Sequence, residues 1–73
     1  MDQSFSPAPT AHPSPIMRYF AYAHLPERLQ RVSKPIGELA YHLDDVLPAC
    51  PEKSVALRKL LEAKDAAVRA ALD

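Results

Sequence analysis

Residues 48–72 read PACPEKSVALRKLLEAKDAAVRAAL, and this stretch decides the fold. Pro51 fits the first turn of a helix, and Glu52 is favourable near the positive end of the helix dipole. From there to residue 72, apolar and small side chains recur at three- and four-residue intervals. They share one broad face with a single lysine, and this face comprises Leu57, Leu60, Leu61, Lys64, Ala67, Val68, Ala71 and Leu72. The stretch therefore predicts a long amphipathic helix that packs through one side.

A second helical pattern precedes this stretch. Ser33 is a good N-cap residue, Pro35 fits the following first turn, and Pro48 ends the helix. Asp44 and Asp45 are expected on its exposed side. Its apolar stripe at helical spacing comprises Ile36, Leu39, Ala40, Leu43, Val46 and Leu47. Because only a few residues separate the two helices, we expect them to be antiparallel neighbours.

The N-terminal part of the chain carries weaker signals. Residues 1–15 contain four prolines, three serines and few large apolar side chains, which predicts a disordered tail. Residues 16–25, IMRYFAYAHL, are too short and irregular to assign by periodicity. Pro26 then predicts a short helix over residues 26–32. With no strand pattern, the chain is predicted to be all-α, with a short N-terminal helix and an antiparallel two-helix hairpin within residues 16–73.

Length and composition limit what this domain can do. A chain of 73 residues buries little apolar surface, and small domains of this size need an additional stabiliser. The single cysteine, Cys50, cannot form an internal disulfide, and the three histidines are scattered, which predicts no metal site. Oligomerisation is the remaining stabiliser, so we expect a homo-oligomer.

Charge and motifs narrow the class of function further. Nine basic and nine acidic side chains cancel, which argues against a binder of long nucleic acid such as a small DNA-binding regulator. No apolar run approaches the ~20 residues of a membrane span, and no signal-peptide pattern is present. With no catalytic triad pattern and no glycine-rich phosphate loop, we expect a cytoplasmic protein that is not an enzyme and needs no cofactor.

Three features could contribute to a ligand site, and each has a purely structural alternative. Ser33 and Lys34 at a helix start could hold an anion, or could be a cap beside a solvated lysine. Tyr19 and Tyr22 could stack on a nucleobase or fill the core, whereas Phe20 is expected in the core.

The last helix offers the third feature, a series of charged side chains. Arg58 with Glu62 and Asp65 with Arg69 have the spacing of solvated ion pairs. Lys64 interrupts the apolar face. It could extend past the core edge, or gather with its symmetry copies at a subunit interface that a polyanion neutralises.

Three segments together resemble one known family: RYFAYAHLPERLQRVSKPI (18–36), ELAYHLDDVLP (38–48) and PEKSVALRKLLEAKDAAVRAAL (51–72). They resemble the helical-hairpin domain of phage anti-CBASS sponges, which bind the cyclic oligonucleotides that a bacterial antiphage defence uses as messengers. A related hairpin also occurs in larger phage proteins of other function. The chain departs from the family at Cys50, where a glycine is expected in the turn.

The resemblance implies a non-catalytic sponge in the cytoplasm of an infected bacterium. It implies a homo-hexamer, a trimer of dimers, with cyclic dinucleotides bound between protomers and, in some members, cyclic trinucleotides at separate sites. Tyr19 and Lys34 match the two residues that flank a base in the dinucleotide pocket, and we include Ser33 and Ile36 beside them. Arg69 and Lys64 match the trinucleotide contacts. The alternative is a purely structural oligomerisation domain of a phage protein.

Overall fold

The computed structural model describes residues 14–72, which form a short 3₁₀ helix and two long α-helices. The 3₁₀ helix spans Pro15–Phe20, α1 spans Glu27–Val46 and α2 spans Pro51–Leu72. Arg28 Nη1 near the start of α1 donates to the carbonyl of Ala71 near the end of α2, at 3.2 Å. The two helices therefore run antiparallel. The predicted all-α class and the start of α2 are confirmed for residues 14–72, while the homo-oligomer stays a prediction.

α1 is one continuous helix where the sequence predicted two. Residues 27–46 are helical without interruption, and Pro35 lies inside the helix. Ser33 is therefore not an N-cap; its side chain is fully buried in the interior of the hairpin. Tertiary packing explains the difference, because the turn around Ser33 faces the interior of the protein and that burial outweighs a local start signal. Pro35 removes one hydrogen bond, the one its missing N–H would donate to the carbonyl of Arg31.

The core lies where the three helices meet. Five apolar side chains are buried among the described residues: Met17, Phe20, Leu29, Ala40 and Leu57. The placement of Phe20 in the core is confirmed. By contrast, Leu39 and Val46 of the predicted apolar stripe are 47% and 53% exposed. α1 turns a column of small residues inward instead, namely Ser33, Gly37 and Ala40.

Small residues on α1 allow the N-terminal segment to approach the helix backbone. A Cβ atom at Gly37 would lie 3.0 Å from the carbonyl oxygen of Phe20 and 3.1 Å from the Tyr22 ring. These are tight contacts for a carbon atom, so a larger residue at position 37 would require residues 20–22 to move slightly away from α1. The sequence suggested that Gly37 merely weakens the helix, but the structure gives it a packing role.

Asp44 joins all three parts of the fold. Its carboxylate accepts hydrogen bonds from the Ser14 hydroxyl at 2.5 Å and the Ser14 N–H at 3.2 Å. Lys53 Nζ lies 3.1 Å from the same carboxylate and donates to the Asp44 carbonyl at 2.8 Å. The prediction that Asp44 is exposed is therefore wrong, whereas Asp45 is exposed as expected.

Burial raises the pKa of Asp44, but hydrogen bonds from Ser14 and Lys53 outweigh that effect. The pKa of Asp44 is consequently held below its usual value of 3.8. Because Ser14 is bound in this way and Pro15 begins the 3₁₀ helix, the prediction that residues 14 and 15 belong to a disordered tail is wrong. The rest of that predicted tail, residues 1–13, lies outside the described residues.

Candidate functional site

The 3₁₀ helix presents Tyr19 at the surface. The residue is 53% exposed, as expected for an aromatic side chain that could stack on a ligand. The Arg18 guanidinium lies 5.1 Å from the ring centroid, and its Nη2 donates to the Tyr19 hydroxyl at 3.2 Å. A guanidinium over a tyrosine ring is a favourable cation–π contact that also holds the ring in place. Arg18 was missed by sequence reasoning, although a cation next to an aromatic residue is a usable signal.

Lys64 fixes the backbone beneath this tyrosine. Its ammonium group donates to the carbonyl of Tyr19 at 2.8 Å and lies 3.7 Å from the Asp65 carboxylate. The Lys64 side chain is only 15% exposed, so its stem packs along the edge of α2 and its charge is used within the chain. Lys64 therefore positions Tyr19 by tying the 3₁₀ helix to α2.

The other three residues predicted around the dinucleotide lie on one turn of α1. Lys34 is exposed, and Ile36 is half-buried against the core. Ser33 is buried, and its hydroxyl has no hydrogen-bond partner among the described residues. Because this turn is helix interior, its backbone N–H groups are not free to bind phosphate, and the predicted anion site at a helix start is not formed.

α1 contacts the residues that follow Tyr19 at a position three residues after Lys34. Gly37, on the next turn of α1, lies against the Phe20 carbonyl and the Tyr22 ring. The contact between α1 and this segment is thus made by Gly37, Phe20 and Tyr22, while the cation on the Tyr19 ring is Arg18. Tyr22 is half-buried in this contact.

Arg69 lies apart, exposed in the last turn of α2, where a cation is favourable near the negative end of the helix dipole. The ion pairs on this helix differ from the predicted ones. Glu62 pairs with Lys59 at 3.7 Å, and Asp65 is the carboxylate beside Lys64. The Lys59–Glu62 pair is largely exposed and contributes little stability.

A separate cleft of about 320 Å³ opens between the N-terminal segment and the start of α2. Its lining mixes apolar and polar side chains, including Ile16, Leu57, Ser54 and Arg58. The exposed Cys50 also borders this cleft and acts as the cap of α2, because its carbonyl accepts the Lys53 N–H at 3.1 Å. Sequence reasoning did not find this cleft, since it depends on where residues 14–16 lie.

Within residues 14–72, no cluster of histidine, cysteine and carboxylate side chains is arranged to hold a metal ion. None of the helices described there is both long and apolar enough to cross a membrane. Comparison of the chain with protein-family models, curated proteins and solved structures returns no match.

Proposed function

We propose that this protein is a non-enzymatic sponge that binds cyclic dinucleotides in the cytoplasm of a phage-infected bacterium. The observation that carries the proposal is the exposed Tyr19 ring with the Arg18 guanidinium 5.1 Å from its centroid. The resemblance of three sequence segments to anti-CBASS sponges supports it. Sequestering the messenger would keep the defence effector inactive.

Binding would rest on stacking and charge, without any covalent step. A nucleobase stacked on Tyr19 contributes roughly 1–3 kcal/mol. Arg18 and Lys34 would neutralise part of the charge of the two phosphates. The backbone of α1 offers no free donor at Ser33, whose side chain is buried in the hairpin, so of these two residues only the half-buried Ile36 would border the ligand.

The proposal includes a homo-hexamer, arranged as a trimer of dimers, with the dinucleotide between protomers. It also includes a second site for cyclic trinucleotides that uses Arg69 and Lys64, the two residues the resemblance implies. The internal hydrogen bond from Lys64 to Tyr19 makes Arg69 the more accessible of these two cations.

Calorimetric titration with a panel of cyclic di- and trinucleotides tests the proposal. We expect saturable binding of at least one cyclic dinucleotide, with the ligand recovered intact afterwards. The matched linear dinucleotide is the control, because it carries the same bases without the closed ring. The absence of binding to every cyclic ligand, or turnover of any of them, would reject the sponge function.

The second candidate function is a purely structural oligomerisation domain. The half-exposed Leu39 and Val46 favour it, since a single chain leaves these apolar side chains uncovered. Under this alternative the protein assembles but gives no heat with any cyclic nucleotide.

A further inference from the structure

α1 carries an apolar column that the hairpin leaves half open. Val32, Leu39 and Val46 are seven residues apart, and Ile36 and Leu43 alternate with them at spacings of four and three. Ile36 and Leu43 pack against the core of their own hairpin, so the residues at heptad spacing that stay open to another helix are Val32, Leu39 and Val46. The hairpin interior instead uses the residues one position later, such as Ser33 and Ala40. Since successive helical residues are about 100° apart, the Val32–Leu39–Val46 column points sideways from the core.

The charges on α1 are divided between its two halves. The first half carries three cations, Arg28, Arg31 and Lys34, against one anion, Glu27. The second half carries three anions, Glu38, Asp44 and Asp45, and no lysine or arginine. Arg31 is 4.0 Å from Glu27, but both side chains are more than three-quarters exposed, so this pair is weak and leaves Arg31 able to engage another carboxylate.

We propose that the column is a homodimer interface in which two copies of α1 pack antiparallel about Leu39. Val32 and Val46 are each seven residues from Leu39, so Val32 of one chain meets the partner's Val46. The same register brings Arg31 to within about two residues, ~3 Å along the axis, of the partner's Asp45. A parallel pair would instead align like charges along its whole length.

A second copy of the chain would also add to the small apolar core of the hairpin. Only five apolar side chains are buried among residues 14–72, which is a small core for a stable domain. An antiparallel pair is isologous, so one stripe of residues covers itself in both subunits. This interface deepens the oligomeric part of the proposed function, and it does not depend on whether the protein binds a nucleotide.

Light scattering of a matched pair of variants tests the interface. Leu39→Arg places a charge on the proposed twofold axis and should lower the mass of the assembly at least twofold. Tyr41→Arg is the control, because Tyr41 is 48% exposed, close to the 47% of Leu39, yet lies away from the column. Circular dichroism should show the same helix content in both variants. A monomeric wild type, or a Leu39→Arg variant that keeps the full mass, would overturn the proposal.

Disulfide trapping tests the orientation without destabilising the column. With Cys50→Ser as the background, chains carrying Val32→Cys are mixed with chains of a different mass carrying Val46→Cys, and then oxidised. Antiparallel packing should give mainly the mixed disulfide dimer, whereas parallel packing would give only the two like dimers. Titration of the trapped dimer with cyclic dinucleotides is a separate readout, so the dimer can stand if the sponge function fails.

Discussion

At the scale of single residues, the candidate site depends on side chains whose roles come from their neighbours. Arg18 lies over the Tyr19 ring, and Lys64 donates to the Tyr19 carbonyl. The role of Lys34 belongs to the proposed function, and the residue lies exposed on α1 three positions before Gly37. Ser33, which resembled a phosphate-binding helix start, is buried.

Tyr19→Ala should weaken binding of a cyclic dinucleotide by roughly 1–3 kcal/mol, because it removes a stacking surface. Lys34→Ala should also weaken binding, and more strongly at low salt, where charge attraction is less screened. Calorimetry at two salt concentrations measures both effects. Lys59→Ala is the control for lost charge, since Lys59 is exposed and distant in sequence from both segments.

Arg69→Ala should leave dinucleotide affinity unchanged and weaken only a cyclic trinucleotide. If Tyr19→Ala instead broke the assembly while Lys34→Ala kept full affinity, then Tyr19 would be structural and the proposed pocket would be wrong.

Gly37→Ala should destabilise the protein even though alanine favours helix. The new methyl group would lie 3.0 Å from the Phe20 carbonyl oxygen, and overpacking of this kind costs about 1–3 kcal/mol. The gain in helix propensity is at most about 1 kcal/mol. Urea denaturation at a fixed protein concentration measures the difference, and a more stable variant would mean that residues 20–22 move away at no cost.

At the scale of the helices, Asp44 connects elements that are far apart in sequence. It lies near the end of α1, receives hydrogen bonds from Ser14 before the 3₁₀ helix, and pairs with Lys53 in the first turns of α2. The Asp44 carboxylate therefore holds the N-terminal segment and the start of α2 against the end of α1.

Acid should loosen this junction. Since the pKa of Asp44 is lowered on folding, its ionised form stabilises the folded state above the usual value of 3.8, and this contribution is lost as pH falls through the lowered pKa. Asp44→Asn should lower stability at pH 7 by roughly 1–3 kcal/mol and flatten the dependence on pH below 5. Thermal unfolding from pH 2.5 to 7 measures this. Asp45→Asn is the matched control, because Asp45 is exposed and its substitution should change stability little. Equal effects of the two substitutions would contradict the proposed role of Asp44.

At the scale of the whole molecule, Ser14 joins the start of the described structure to the end of α1. Deleting residues 1–13 removes none of the contacts described above. Deleting residues 1–15 additionally removes the hydrogen bonds of Ser14 to Asp44 and the start of the 3₁₀ helix.

The shorter deletion should therefore keep the melting temperature, the assembly and the ligand affinity. The longer deletion should lose about 1–3 kcal/mol of stability, because the largely buried carboxylate of Asp44 loses partners. Thermal denaturation and light scattering of the two truncated chains measure the difference. A large loss already on removal of residues 1–13 would show that this segment contributes to packing or to binding.

The proposed hexamer is the largest structure that this chain would form. Light scattering should give a mass close to six times that of the 8.1 kDa chain. A dimer would retain the α1 interface while removing the trimer of dimers from the proposal, whereas a monomer would remove both.

The sequence by itself determined the helical class, the hairpin and the start of α2. These depend on periodicity, prolines and short connections, which act between residues close in the chain. It also placed Phe20 in the core from its chemical character, whereas it left Tyr19 open between the core and a ligand site. It could have pointed to Arg18, because that residue is adjacent to Tyr19.

Only the tertiary structure decided that α1 is continuous through Pro35, that Ser33 is buried and that the Asp44 side chain is largely buried. The tertiary structure alone also shows that Lys64 contacts Tyr19 and that the Ser33–Gly37–Ala40 column faces the core. Each depends on contacts between residues distant in sequence. Caps and helix propensities favour a local structure by only a few tenths to about 1 kcal/mol. Contacts that bury a turn or pair a charge contribute more free energy than this, so they decide the structure.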